Sequence, residues 1–216
     1  MIDLVKFGNH LDRDLGHRKK EIISFKLLFT NADEDQQALL RHAGVMIIYS
    51  HWEGFIKEAL KSYVKLYVGL PMNQLPEHMK IACLSDHLWS EQQGENKATK
   101  LVVSKIAYEH LKNPSNCIKG TIDRLVISKS NLNFEQVQSL LQLVEYSAQD
   151  LHGFNTLSLS ENFIDSVLLH TRHSIAHGEM RPINKTDFEE IMNKTLDLLD
   201  ELKETFLISA QKYLSN

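Results

Sequence analysis

The chain has 216 residues, enough to bury a sizeable core as one domain. Its apolar fraction of 43% and charged fraction of 24% are those of an ordinary globular protein, and 4 Pro with 9 Gly argue against a turn-rich β sandwich or barrel. A formal net charge of −4 excludes strong whole-molecule attraction to nucleic acid, so any RNA contact must come from a local patch.

Taken in order, the chain reads as a series of helices. Leu4, Phe7, Leu11, Leu15, Ile22, Phe25 and Phe29 fall on steps of three, four and seven and predict a helix from about residue 3 to 29. The basic run His17-Arg18-Lys19-Lys20 reads as a solvated face of that helix, with an RNA contact as the alternative. A turn and cap at 31–35 lead into a long helix from about Asp35 to Val68. Val45, Met46, Ile48, Tyr49, Trp52, Phe55, Ile56 and Leu60 give it a wide apolar stripe, with His51 and Glu53 among them. A carboxylate among such bulky residues needs a cationic partner, so Glu53 is expected to reach the helix that carries Arg172 and hold that side chain or a neighbouring His. Lys57, Lys61 and Lys65 step by four in line with Glu53, as an ion-paired exposed face or as a phosphate-binding track.

Two Pro between residues 69 and 76 break the long helix. A short helix at about 78–90, a polar loop at 91–97, a helix at 101–111 and a turn at 113–116 follow; residues 117–130 include a stretch, 125–128, that reads as a strand or an extended segment. Residues 133–146 read as helix again, and Gly153 marks a loop. The last helix is expected to start at a capping box of Thr186 with Glu189 and to run to about Tyr213. The fold class expected is all-α, one domain over residues 1–216 built as an up-and-down helical bundle. Cys83 and Cys117 have neither metal-ligand spacing nor a disulfide framework, which suits a reducing cytoplasm. Asp3 and Lys6 interrupt any signal-peptide pattern, and no apolar run reaches the roughly 18 residues of a membrane span.

The segment Glu161 to Glu179, ENFIDSVLLHTRHSIAHGE, carries the densest chemistry. Phe163, Ile164, Val167 and Leu168 form an apolar face, Ser158 with Glu161 reads as its cap, and Gly178 reads as its stop. Its last turns hold His170, Arg172, His173 and His177. Arg172-x4-His177 pairs a fixed positive charge with a group that exchanges protons near neutral pH. Such a pair suits cleavage of RNA by its own 2′-hydroxyl: a base takes the proton, the oxygen attacks phosphorus, and Arg stabilises the developing charge. That chemistry needs no metal and no cofactor. The spacing alone has little specificity, since with 6 Arg and 11 His in 216 residues about 0.3 such matches arise by chance. On an ideal helix Arg172 and His177 also lie about 140° apart. Either the last turn unwinds before Gly178, or the two act on one phosphate across a dimer cleft. His170, His173 and His177 do share a face, which is ligand-like spacing for zinc with Glu53 or Glu179 as a fourth group.

The segment TRHSIAHGE resembles the signature of the HEPN superfamily, with Arg172, His173 as the polar residue, His177 and then Gly178. YSHWEGFIK, Tyr49 to Lys57, looks like the helix signature of one bacterial branch of that superfamily, and the two segments stand in the family's order. The resemblance implies a helical bundle, a homodimer with two Arg-x4-His motifs facing one cleft, and metal-independent endoribonuclease activity on an RNA substrate. It further implies a toxin of a toxin–antitoxin or antiphage defence system, with an antitoxin or defence partner protein. Arg172, His177 and His173 are the catalytic residues on that reading, with Glu53, His51, Ser174 and His170 in support and Lys57, Lys61 and Lys65 as weaker RNA contacts. Two alternatives stay open: a non-catalytic HEPN module that binds a partner protein, nucleotide or RNA, and a metal-dependent hydrolase using the His170, His173 and His177 face.

Overall fold

The computed structural model describes residues 3–82, 105, 108, 109, 112, 131–145, 161–179 and 182–214. The loop at 91–97, most of the helix at 101–111, the turn at 113–116, residues 117–130, Gly153, Ser158 and both cysteines lie outside the described residues.

Three long helices make the frame. Helix α1 spans Leu4–Asn31 and starts where the Asp3 carboxylate accepts the Lys6 N–H at 2.9 Å. It buries Phe7, Leu11, Leu15, Ile22 and Phe29, the four- and seven-residue steps of one helix face. Helix α2 spans Glu34–Lys65, and Asp33 caps it by accepting the Gln36 N–H at 2.8 Å. Only Ala32 and Asp33 separate α1 from α2, so the two form a helical hairpin. The last helix, Lys185–Leu214, packs against both. Trp52, Phe55 and Tyr63 of α2 meet Phe206, Phe188 and Phe29 in the buried core between them.

Specific contacts fix this packing. Gly44 of α2 sits under Phe188 and Phe25, where an added Cβ would lie 2.5–2.6 Å from ring carbons. Phe188 in turn packs on Phe29 with ring centroids 5.0 Å apart. Gly44→Ala is therefore expected to destabilise the fold by about 1–3 kcal/mol through overpacking. That exceeds the gain of about 1 kcal/mol in helix propensity. A lower urea midpoint with unchanged slope would bear this out; an equal or higher midpoint would mean that the rings move aside.

Three of the four residues of the basic run of α1 are paired within the protein, two along α1 itself and one to the last helix. Arg18 grips Asp14 at 2.7 and 3.1 Å, His17 pairs with Glu21 at 3.5 Å, and Lys19 reaches Asp200 of the last helix at 2.5 Å. The RNA-contact alternative for this run thus loses most of its charges to partners within the protein.

Smaller elements complete the bundle. After α2, a 3-10 turn covers Met72–Gln74 and residues 77–82 are helical. Helix α3, Phe134–Leu141, is capped by Asn133 accepting the Gln136 N–H, and a 3-10 turn, Gln142–Val144, follows. The Tyr63 hydroxyl hydrogen-bonds Ser209, Tyr67 and His78, which ties α2 to the last helix and to residues 77–82. Burial pushes His78 below the ordinary histidine range. The segment after residue 160 winds as a π-helix over Phe163–Leu169 and as an α-helix, α4, over His170–Ala176. The last helix, α5, starts two residues earlier than the Thr186 and Glu189 box would set it. Asn184 accepts the Asp187 N–H at 2.8 Å and donates its amide to the Asp187 carboxylate at 2.8 Å, so the reciprocal cap is Asn184 with Asp187. The protein is an all-α helical bundle. Among the described residues, no helix is long and apolar enough to cross a membrane.

Candidate active site

The site is built where α4 lies against α2 and the first turns of α5. Phe163, Ile164 and Leu168 of the π-helical stretch are buried and anchor it in the core. Asp165 accepts the Phe134 N–H at 2.7 Å and so fastens the start of α3 to the same element. The i→i+5 winding of a π-helix rotates every later side chain relative to a uniform α-helix. That rotation sets which way the His and Arg residues of α4 face.

The end of α4 is closed tightly. The Gly178 N–H donates to the Ile175 carbonyl at 3.1 Å and the Glu179 N–H to the Ser174 carbonyl at 2.8 Å. Gly178 has φ of 76°, the left-handed conformation such a closure requires. Ser174, one of the expected supporting residues, is buried there. The helix does unwind before Gly178: His177 leaves helical geometry at φ −94° and ψ 6°. It is exposed, and its ring stacks on that of His173 with centroids 5.8 Å apart.

Arg172 turns the other way. It is half-buried, and its guanidinium lies over the Tyr49 ring, 5.3 Å from the centroid. Tyr49 is itself held on both sides. Its oxygen accepts the Leu132 N–H at 2.8 Å, and the Glu53 charge acts on its hydroxyl. Burial first, then the Glu53 charge, pushes the Tyr49 hydroxyl well above its ordinary value, so it stays neutral. Glu53 takes its cationic partner from Lys57, one turn along α2. Among the described residues no ion pair joins Glu53 to Arg172 or to a histidine of α4; the ring of Tyr49, one turn before Glu53, is what lies under the guanidinium. Arg172 Nε is buried with no hydrogen-bond partner. A half-buried guanidinium with no carboxylate paired to it among the described residues is an arrangement that an anion completes.

The remaining sequence candidates divide between this site and other places. His51 is buried but faces α1, 3.1 Å from Glu21, and its carbonyl accepts a hydrogen bond from Arg18 at 3.4 Å. Burial lowers its pKa, partly offset by Glu21. Gly54 fits under Arg18, where a Cβ would lie 2.5 Å from the guanidinium. The His51 and Gly54 part of YSHWEGFIK thus locks α1 to α2, while its Tyr49 and Glu53 part faces Arg172. Of the lysine track, Lys57 is spent on Glu53 and Lys65 borders a groove with Lys6 and His10. His170 lines a cavity of about 350 Å³ between α4 and α5, apart from the His173–His177 stack. Among the described residues, no group of three or more His, Cys, Asp or Glu converges as a metal-ligand set. Tyr49 is the residue that sequence reasoning missed as functional, reading it only as part of the apolar stripe. The signal available was its place one turn before Glu53, on the same helix face.

No curated protein and no solved structure gives a significant match to the chain. The family model described as HEPN_MAE_28990-like HEPN matches residues 7–214, which takes in both signature segments, α1 from its fourth residue, and α2 to α5 in full. This chain belongs to the HEPN_MAE_28990-like HEPN family.

Proposed function

We propose that this protein is a metal-independent endoribonuclease, acting as the toxin of a toxin–antitoxin or antiphage system and held in check by a partner protein. The observation that carries the reading is Arg172, poised over Tyr49 with a buried, unpartnered Nε, on the same helix end as the exposed His177. Family membership over residues 7–214 supports it. In the proposed reaction a histidine removes the 2′-hydroxyl proton, the oxygen attacks the adjacent phosphorus, and the 5′-oxygen leaves with a proton. Arg172 neutralises charge on the pentavalent phosphorus, and His173 orients His177 through their ring stack.

The active unit is proposed to be a homodimer of one HEPN-like domain, residues 1–216, per chain. One histidine does not readily serve as both base and acid in one turnover, and each chain carries one motif. Within one chain, moreover, Arg172 turns inward to Tyr49 while His177 is exposed on another side of the helix. Two motifs facing one cleft supply two histidines and two arginines to a single phosphate. Light scattering coupled to an activity assay tests this. Cleavage of RNA, and not of DNA of the same sequence, should elute with the dimer and persist in EDTA. An active monomer at assay concentration would overturn the dimer, and activity lost to EDTA and restored by zinc would overturn the metal-independent reaction.

A further inference from the structure

The cavity of about 350 Å³ between α4 and α5 takes no part in the reaction just described. Its volume lies at the small end of the range for ligand pockets, roughly 300–1,000 Å³, which suits one planar ring system. Val167 and Ile175 of the motif segment and Ile183 and Ile191 line it, giving it apolar wall surface. His170 and Glu179 supply polar groups at its margin. The other carboxylates that line it are already engaged: Asp187 with the Asn184 amide at 2.8 Å, and Glu190 with Lys194 at 2.5 Å. Glu179 has no ion-pair partner among the described residues, and the Schellman closure at Gly178 fixes its backbone.

The cavity also lies beside the motif. At about 100° per residue, His170 and Ser174 stand next to His177 and His173 around the α4 axis. Ser174, like His170, lines the cavity, while His173 and His177 stand beside it around the same helix without lining it. A base unstacked from an RNA strand whose phosphate lay at His177 would have this cavity within reach.

We infer that this cavity is a base-specificity pocket that takes a guanine next to the scissile phosphate, its ring held between the apolar walls and its Watson–Crick edge on the Glu179 carboxylate. The choice of base follows from donor count. Guanine presents two adjacent donors, N1–H and the N2 amine, which match the two oxygens of one carboxylate. Adenine and cytosine present one amine beside an acceptor, which a carboxylate repels, and uracil presents one imide N–H between two carbonyls.

The inference rests on the ribonuclease reading, and the test keeps the two apart. Binding of GMP, IMP and AMP to full-length His177→Ala protein is measured by calorimetry, alongside cleavage-site mapping with the unaltered protein on a mixed-sequence RNA. GMP should bind at least about tenfold more tightly than IMP, which lacks the N2 amine, and AMP should bind more weakly still. Glu179→Gln should remove most of that difference, and because Glu179 is exposed the variant should fold. Cuts should cluster beside G, and in Glu179→Gln they should spread to other bases. Equal binding of the three nucleotides, or discrimination unaltered by Glu179→Gln, overturns the pocket. Guanine-selective binding without any cleavage of RNA leaves the pocket standing and overturns the ribonuclease.

Discussion

Replacing His177 with alanine is expected to lower the rate of RNA cleavage by about 10²–10⁴-fold, the usual worth of a positioned proton-transfer group. The fold should be untouched, because His177 is exposed and its backbone, not its ring, closes the helix end through the His173 carbonyl. Affinity for an RNA with a 2′-deoxy residue at the scissile position should change little, since proton transfer matters only along the reaction path. His173→Ala should be milder, because that ring supports His177 by stacking. If His177→Ala retained full activity, the base and acid would have to be sought elsewhere on the chain.

The second large effect is expected at Arg172. Arg172→Ala should cost about 10²–10³-fold in rate, comparable to removing one electrostatic stabiliser of a charged transition state. Unlike the His177 change, it should also weaken binding of uncleavable RNA, because a guanidinium contacts the ground-state phosphate as well. Tyr49→Leu separates charge from placement. It keeps Arg172 but removes the ring beneath it and the acceptor for the Leu132 N–H. Its rate loss should be smaller than that of Arg172→Ala, and kcat should fall more than KM rises. An Arg172→Ala variant that bound and cut RNA normally would remove the phosphate-contact role.

Much of the frame was legible because local rules and tertiary packing agree there. The steps from Phe7 to Phe29 matched the buried face of α1, and Asp3 and Asp33 stood at cap positions. The start of α5 was misplaced because Thr186 with Glu189 and Asn184 with Asp187 offer the same side-chain chemistry at the same spacing. Which pair caps depends on the residue whose backbone leaves the helix, and here that residue is Asn184, directly after the buried Ile183. The basic run of α1 was half legible: Asp14 lies one turn from Arg18, whereas Asp200, the partner of Lys19, is 181 residues away. At the site, the divergence of Arg172 from His177 follows from helix geometry alone. Tyr49 as the seat of Arg172 does not, because it needs α2 and α4 side by side, and the π-helical winding of Phe163–Leu169 shifts the faces that a 3.6-residue period would assign.

The most direct test is the chemistry of the cut ends. Purified protein is incubated with a defined RNA in EDTA, and the products are resolved by mass and by enzymatic end-labelling. Attack by the 2′-hydroxyl, with Arg172 and His177 serving one phosphate, requires a 2′,3′-cyclic phosphate on one fragment and a 5′-hydroxyl on the other. A 5′-phosphate with a 3′-hydroxyl would mean that water or metal-bound hydroxide is the nucleophile, and would contradict the account.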